Sequence, residues 1–186
     1  FSPSTPYAVS RAACDLHLMS FYKAYDFPVV FTRAANVYGP GQQLYRIIPR
    51  TILGALTKNG MDLHGGGQSE RSFIYIEDVV NATINLSLNA EPGSSWHIST
   101  REAISIRNLV NKICTKINVK FEDIVNISEE RLGKDSSYLL DSEKLRERFN
   151  WSETYSLDDG IALTLHWLET NVNILKNLPW EYIHKL

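Results

Sequence analysis

The chain has 186 residues, of which 44% are hydrophobic and 22% charged, with a formal net charge of −2. That length holds one ordinary domain or parts of two, and the composition is that of a soluble globular protein. A near-neutral balance leaves no basic footprint for nucleic acid, and no apolar run approaches the length a bilayer demands. Cys14 and Cys114 fall in helical patterns without metal-ligand spacing, which predicts two reduced core thiols and no metal centre.

Thr5 reads as an N-cap and Pro6 as the first residue of a helix running to about Tyr25, where Asp26-Phe27-Pro28 breaks it. Tyr7 and Arg11 lie four apart, so both side chains leave the same helix face. A fixed cation beside a phenol favours the phenolate, which makes the pair a candidate acid–base device; a surface Tyr–Arg stack has the same spacing. Val29-Val30-Phe31-Thr32 is a β-rich run suited to a buried parallel strand, and a helix feeding such a strand is half of a βαβ unit. In open α/β sheets ligands bind beyond the carboxyl ends of the strands. The loop from Arg33 to Gln42, with its Gly39-Pro40-Gly41 turn, is therefore the expected ligand site.

Ile47 to Thr57 reads as a helix ended by Asn59-Gly60, and Met61 to His64 as an edge-like strand. Gly65-Gly66-Gly67 opens no helix, so it is not a dinucleotide fingerprint; it predicts a tight backbone turn. Glu77 to Leu88 reads as a helix whose dipole Asp78 complements, and Trp96 to Ser99 as a short strand. Ile106, Leu109, Val110, Ile113 and Ile117 recur at helical spacing, and Val119 to Ile127 is expected as a further strand. Asp141 is placed to cap a helix through Lys144, and Ser156 to Asp159 has the form of a capping box with Asp in place of Glu. Leu157, Ile161, Leu165 and Leu168 then make one apolar stripe for packing.

The stretch Thr5-Pro6-Tyr7-Ala8-Val9-Ser10-Arg11-Ala12-Ala13 resembles the active-site helix of extended short-chain dehydrogenase/reductases acting on nucleotide sugars. That family has Tyr-x-x-x-Lys here, the Lys bonding the nicotinamide ribose; Arg11 keeps the charge but is larger and planar. Asn36-Val37-Tyr38-Gly39-Pro40 also resembles the family, and the likeness implies that Asn36 bonds the substrate while Val37 lies against the nicotinamide. Arg46, in Tyr45-Arg46-Ile47-Ile48-Pro49, matches the family's basic residue at the diphosphate, and Arg71, opening Arg71 to Val80, matches a second. Without the family context Arg46 reads equally as a solvated arginine at a helix start. Ile47, Leu63, His64 and Tyr138 complete the implied substrate contacts. His97 stands where the family has an Asn that reaches the nucleotide, although a lone His is more often structural. Arg131 to Leu145 is similar to a dehydratase segment, with Lys134 in place of a His and Ser136 and Ser137 in place of two nucleotide-holding arginines. The aromatic tail after Asn171 is similar to the end of dTDP-glucose 4,6-dehydratases.

The resemblance implies an α/β fold: the C-terminal part of a Rossmann-type parallel sheet plus a small α/β substrate-binding domain. Residues 1–40 would be the remainder of the NAD-binding domain, and 41–186 mainly the nucleotide-sugar domain with some segments returning to the sheet. The implied cofactor is NAD and the implied partner a nucleotide-diphosphate sugar, in a cytoplasmic homodimer joined through the tyrosine helix. Tyr7 would take a proton from the sugar's 4-hydroxyl as hydride passes to NAD; water then leaves and hydride returns at the sixth carbon. A 4-epimerase, or a non-catalytic nucleotide-sugar-binding relative, are the alternatives. The glycine-rich cofactor turn and the upstream acid pair are not in this sequence, which predicts a C-terminal fragment inactive alone, with parallel strands short of neighbours.

Overall fold

The computed structural model describes residues 3, 5–129 and 137–181. Its first helix, α1 (Pro6–Tyr25), opens as expected, with Thr5 Oγ1 accepting the Ala8 N–H at 3.2 Å. Then come β1 (Phe31–Ala34), β2 (Asn36–Tyr38), α2 (Ile47–Thr57), β3 (Met61–His64), β4 (Glu70–Arg71) and β5 (Phe73–Tyr75). Next are α3 (Ile76–Asn89), β6 (Ser95–Ile98), β7 (Ile104–Ser105), α4 (Ile106–Ile117) and α5 (Phe121–Ile124). The chain continues through β8 (Val125–Ser128), β9 (Ser137–Tyr138), α6 (Glu143–Phe149) and α7 (Leu157–Leu175).

Four strand pairs are parallel: β1 with β6, β2 with β5, β3 with β8, and β4 with β9. Parallel neighbours need long crossovers, and helices supply them here, which is the α/β class the sequence predicts. A fourth, three-stranded sheet runs β7-β4-β9. Among the described residues β1 has one strand neighbour, β6. No helix of the described residues is long and apolar enough to cross a membrane.

Several boundaries move. β1 begins at Phe31 rather than Val29, because Val29 folds its N–H back onto Phe27 and the ladder starts where Phe31 meets the Ser94 carbonyl at 2.9 Å. Asn36 to Tyr38, expected as loop, is a strand, since β5 offers it a partner. The predicted strand from Val119 is broken by α5: Glu122 and Asp123 suit a helix N-terminus, and Phe121 and Ile124 bury one face. Cys114 is a core thiol, its burial pushing it above its usual range, but Cys14 is exposed because no residue of α1 is buried. The glycine run turns tightly as expected, all three residues having positive φ; a Cβ on Gly67 would lie 2.8 Å from the Arg107 backbone nitrogen.

The core has three clusters. One gathers α2, α4 and α7 around Ile48, Ile52, Leu109, Ile161 and Leu168. A second lies under β3 and β8, and a third joins β1 and β6 to α3 and α6 through Ile74, Leu86, Ile98 and Leu145. Asp78 is buried in the first turn of α3 and accepts the Thr154 and Tyr155 N–H groups at 2.8 and 3.2 Å, tying α3 to the approach of α7. At α7 the predicted capping box is complete, and Gly160 makes room for Tyr38: a Cβ there would lie 2.1 Å from the Tyr38 hydroxyl.

Two stability predictions arise. Asp78→Ala orphans two backbone donors and costs about 3 kcal/mol, read by chemical denaturation. Asp159 is held below its ordinary value of 3.8, chiefly by the Ser156 hydroxyl. A depressed carboxyl contributes stability above its unfolded value and loses it as pH falls through the folded one. The stability gap between wild type and Asp159→Asn is therefore widest at neutral pH and closes in acid, as urea melts across the acid range will report.

Candidate active site

Beyond the ends of β2 and β5 lies a cavity of about 1020 Å3, walled by the loop after β2, the start of α2, and the strand carrying Arg71. Five of the expected ligand residues meet in it: Asn36, Val37, Arg46, Ile47 and Arg71. Each is there for a local reason. Asn36 donates its side-chain N–H to the Ser72 carbonyl at 3.1 Å, which clamps it and leaves Oδ1 as the atom to meet a donor. Val37 follows on the parallel ladder opposite Ile74. Arg46 is the N-cap of α2 without capping by its side chain, its guanidinium lying 5.4 Å from the Tyr45 ring centre. The positive end of α2 thus opens on the cavity beside Arg46. Arg71 donates to its neighbour's Glu70 carbonyl and stands opposite Tyr138 in the β4–β9 register.

Sequence reasoning missed a third arginine. Arg50 also lines the cavity, while donating to the Trp180 carbonyl at 2.9 Å and facing Glu181 at 3.8 Å. Its spacing of four from Arg46 within one helix was the available signal. The described walls therefore carry three arginines and no carboxylate, an electrostatic setting for a multiply charged anion. Tyr38 lines the same space but is no proton acceptor: burial first, then Tyr75 and nearby acids, pushes its phenol well above the usual range. Its hydroxyl donates instead to the Leu157 carbonyl at 3.3 Å.

The other expected residues lie elsewhere. Tyr7 is 75% exposed and Arg11 is exposed too; both sit on α1 outside the cavity wall, so the structure does not bring the tyrosine to the arginines. The cause is visible in α1 itself, which buries none of its residues and is tied down through Asp15 to Arg33. Leu63 turns into the second core cluster rather than toward ligand, because alternate residues of β3 face the core. His64 is engaged by the Ser128 hydroxyl at 2.9 Å and the Glu129 carbonyl at 3.2 Å. His97 contacts the Asp141 carbonyl at 3.1 Å, the structural use expected of a lone His. Tyr138 is exposed beside Arg71 on β9, off the cavity wall, and Lys134 lies outside the described residues.

Parallel strands joined by helices, with an arginine-lined cavity beyond the ends of β2 and β5, define an α/β protein of the open-sheet class. The chain belongs to the GDP-mannose 4,6 dehydratase family, whose profile matches residues 1–164. It is 32% identical over 180 residues to dTDP-D-glucose 4,6-dehydratase of Mus musculus, covering 94% of this chain and 50% of that one. Against the trifunctional UDP-glucose 4,6-dehydratase/UDP-4-keto-6-deoxy-D-glucose 3,5-epimerase/UDP-4-keto-L-rhamnose-reductase of Arabidopsis thaliana the identity is 31%, over 91% of this chain and 25% of that protein. The fold superposes on dTDP-glucose 4,6-dehydratase from Bacillus anthracis, crystallised in complex with NAD, with a TM-score of 0.90 and 27% identity. That match covers 96% of this chain and 57% of the other. The chain thus spans between a quarter and about half the length of the curated relatives it matches.

The Arg50 contact gives a direct test of the wall. Arg50→Ala frees the carbonyl of Trp180, and limited proteolysis will cut the segment after Leu175 several-fold faster than in wild type.

Proposed function

We propose that this chain forms the nucleotide-sugar-binding part of an NAD-dependent nucleotide-sugar 4,6-dehydratase, of the dTDP-glucose 4,6-dehydratase kind. The observation that carries the reading is the set of Arg46, Arg50 and Arg71 around one carboxylate-free cavity at the start of α2. A sugar-nucleotide diphosphate is an anion that such a set can hold from several sides. In this reading Arg46 and Arg71 grip the diphosphate, Asn36 meets the sugar, and residues 1–40 belong with the cofactor domain while 41–186 mainly bind substrate. Anchoring the remote diphosphate is how its binding energy is turned to orienting the sugar.

The residues present suit the nicotinamide end of the cofactor alone. Tyr7 is open to a ligand, Arg11 shares its helix face, and Val37 offers an apolar wall at the cavity. NAD supplies a hydride acceptor and donor when bound. Tyr7 carries the proton of the sugar's 4-hydroxyl, and Arg11 stabilises the phenolate while meeting ribose hydroxyls. Arg11 keeps the charge of the usual lysine in a broader, planar group. We further assign the protein to the cytoplasm and to a homodimer joined through α1, whose Leu16, Phe21 and Tyr25 are exposed.

Two experiments bear on this. Isothermal titration of the chain with dTDP-glucose should show binding that falls about tenfold or more in each of Arg46→Ala and Arg71→Ala; no binding by the wild type refutes the reading. In a version spanning the full length of the dehydratase relatives, NAD and dTDP-glucose should yield a 4-keto product by mass spectrometry. There Tyr7→Phe should abolish turnover and Arg11→Lys should raise it; unchanged turnover in Arg11→Lys would mean that the arginine is already adapted to its place.

A further inference from the structure

Two atoms on the cavity wall have a requirement that the described residues leave unmet. Ser69 is 6% exposed, and its buried Oγ has no hydrogen-bond partner among the described residues. Gln42 donates Nε2 to the Val37 carbonyl at 2.7 Å; a carbonyl only accepts, so the other amide atom is the oxygen. That Oε1 is buried too, and it likewise has no partner among the described residues. Both residues line the arginine cavity. Buried polar atoms are almost always paired, so two orphans on one cavity wall mark positions that a ligand satisfies.

The two atoms call for different partners. An amide oxygen accepts only: it disfavours a phosphate and takes a hydroxyl or an N–H. The serine hydroxyl can donate to an anionic oxygen. It precedes Arg71 by two residues in extended chain, where the Ser69 carbonyl accepts the Ile106 N–H at 3.1 Å, so Ser69 and Arg71 share a face. Gln42, by contrast, is held against Val37, next to Asn36, whose own N–H is committed to Ser72. The loop after β2 therefore offers an acceptor to the cavity, and the chain entering β4 offers a hydroxyl beside a guanidinium.

Resting on the nucleotide-sugar reading above, we propose that Gln42 Oε1 accepts a hydrogen bond from a hydroxyl of the glycosyl group, while Ser69 Oγ donates to the diphosphate beside Arg71. Gln42 is then a specificity residue for the sugar, and Ser69 an anchor shared by every nucleoside diphosphate the site takes. The ligand lies with its phosphates toward β4 and its sugar toward the loop after β2.

Titration calorimetry with two probes, dTDP and dTDP-glucose, tests this on the full chain. The ratio of dTDP-glucose to dTDP affinity should be about tenfold higher in wild type than in Gln42→Met, the value of one well-made hydrogen bond to a buried acceptor; comparing variants cancels the extra charge on the free terminal phosphate of dTDP. Gln42→Met keeps the length and removes the acceptor together with the Nε2 donor to the Val37 carbonyl; dTDP affinity should stay unchanged, which reports that the loop stays intact without that donor. Ser69→Ala should weaken both probes equally, by several-fold. A Gln42→Met that leaves the ratio of the two affinities unchanged, whether it weakens both probes alike or neither, overturns the Gln42 assignment. Unchanged affinities in Ser69→Ala overturn the Ser69 assignment. A wild type that binds neither probe defeats the nucleotide-sugar reading itself, an outcome distinct from retained binding with a ratio that Gln42→Met leaves unchanged.

Discussion

The parallel pairing of β2 with β5 is the constraint on which the cavity depends. It sets Asn36 opposite Phe73 and Tyr38 opposite Tyr75, with both Asn36 donors, main chain and side chain, converging on the Ser72 carbonyl. From that short ladder the chain leaves in two directions that meet again. The loop after β2 turns through Gly39, where a Cβ would strike Ile76 at 2.6 Å, and reaches the start of α2 with Arg46. The residues just before β5 form β4 and carry Arg71. Ladder geometry thus brings together cations that are far apart in sequence.

Much of this architecture was legible in the sequence, because local chemistry and tertiary need agreed. Thr5-Pro6 starts α1, Asp26-Phe27-Pro28 ends it, and Ser156 with Asp159 caps α7. Where the two diverged, pattern reading failed. Asn36 to Tyr38 is too short and polar-ended to read as a strand, and only a distant partner makes it one. Phe121 to Ile124 reads as β-rich until its two acids and its three-residue spacing are weighed as one helical turn.

The site was legible in the same uneven way. Asn36, Val37, Arg46, Ile47 and Arg71 do share a cavity, and motif likeness was enough to find them. Leu63 belongs to the core and His97 to a backbone contact, because strand alternation and a neighbouring carbonyl decide what those side chains meet. Gln42 closes the loop that the sequence marks as a ligand site, but Arg50 and Ser69 carry no motif, and their place became visible only through what surrounds them. Tyr7 and Arg11 stand apart on a helix that buries nothing, with large apolar side chains facing outward.

The contact of Gly160 with the Tyr38 hydroxyl joins the last long helix to a side of the ligand cavity. Tyr38 cannot simply swing aside, since it is buried and its hydroxyl is spent on the Leu157 carbonyl one turn earlier in that helix. The two positions are therefore free to diverge only as a pair. A lineage that placed even one methyl at 160 would have to shorten the ring at 38, and would reshape the arginine-lined cavity from a residue outside its wall.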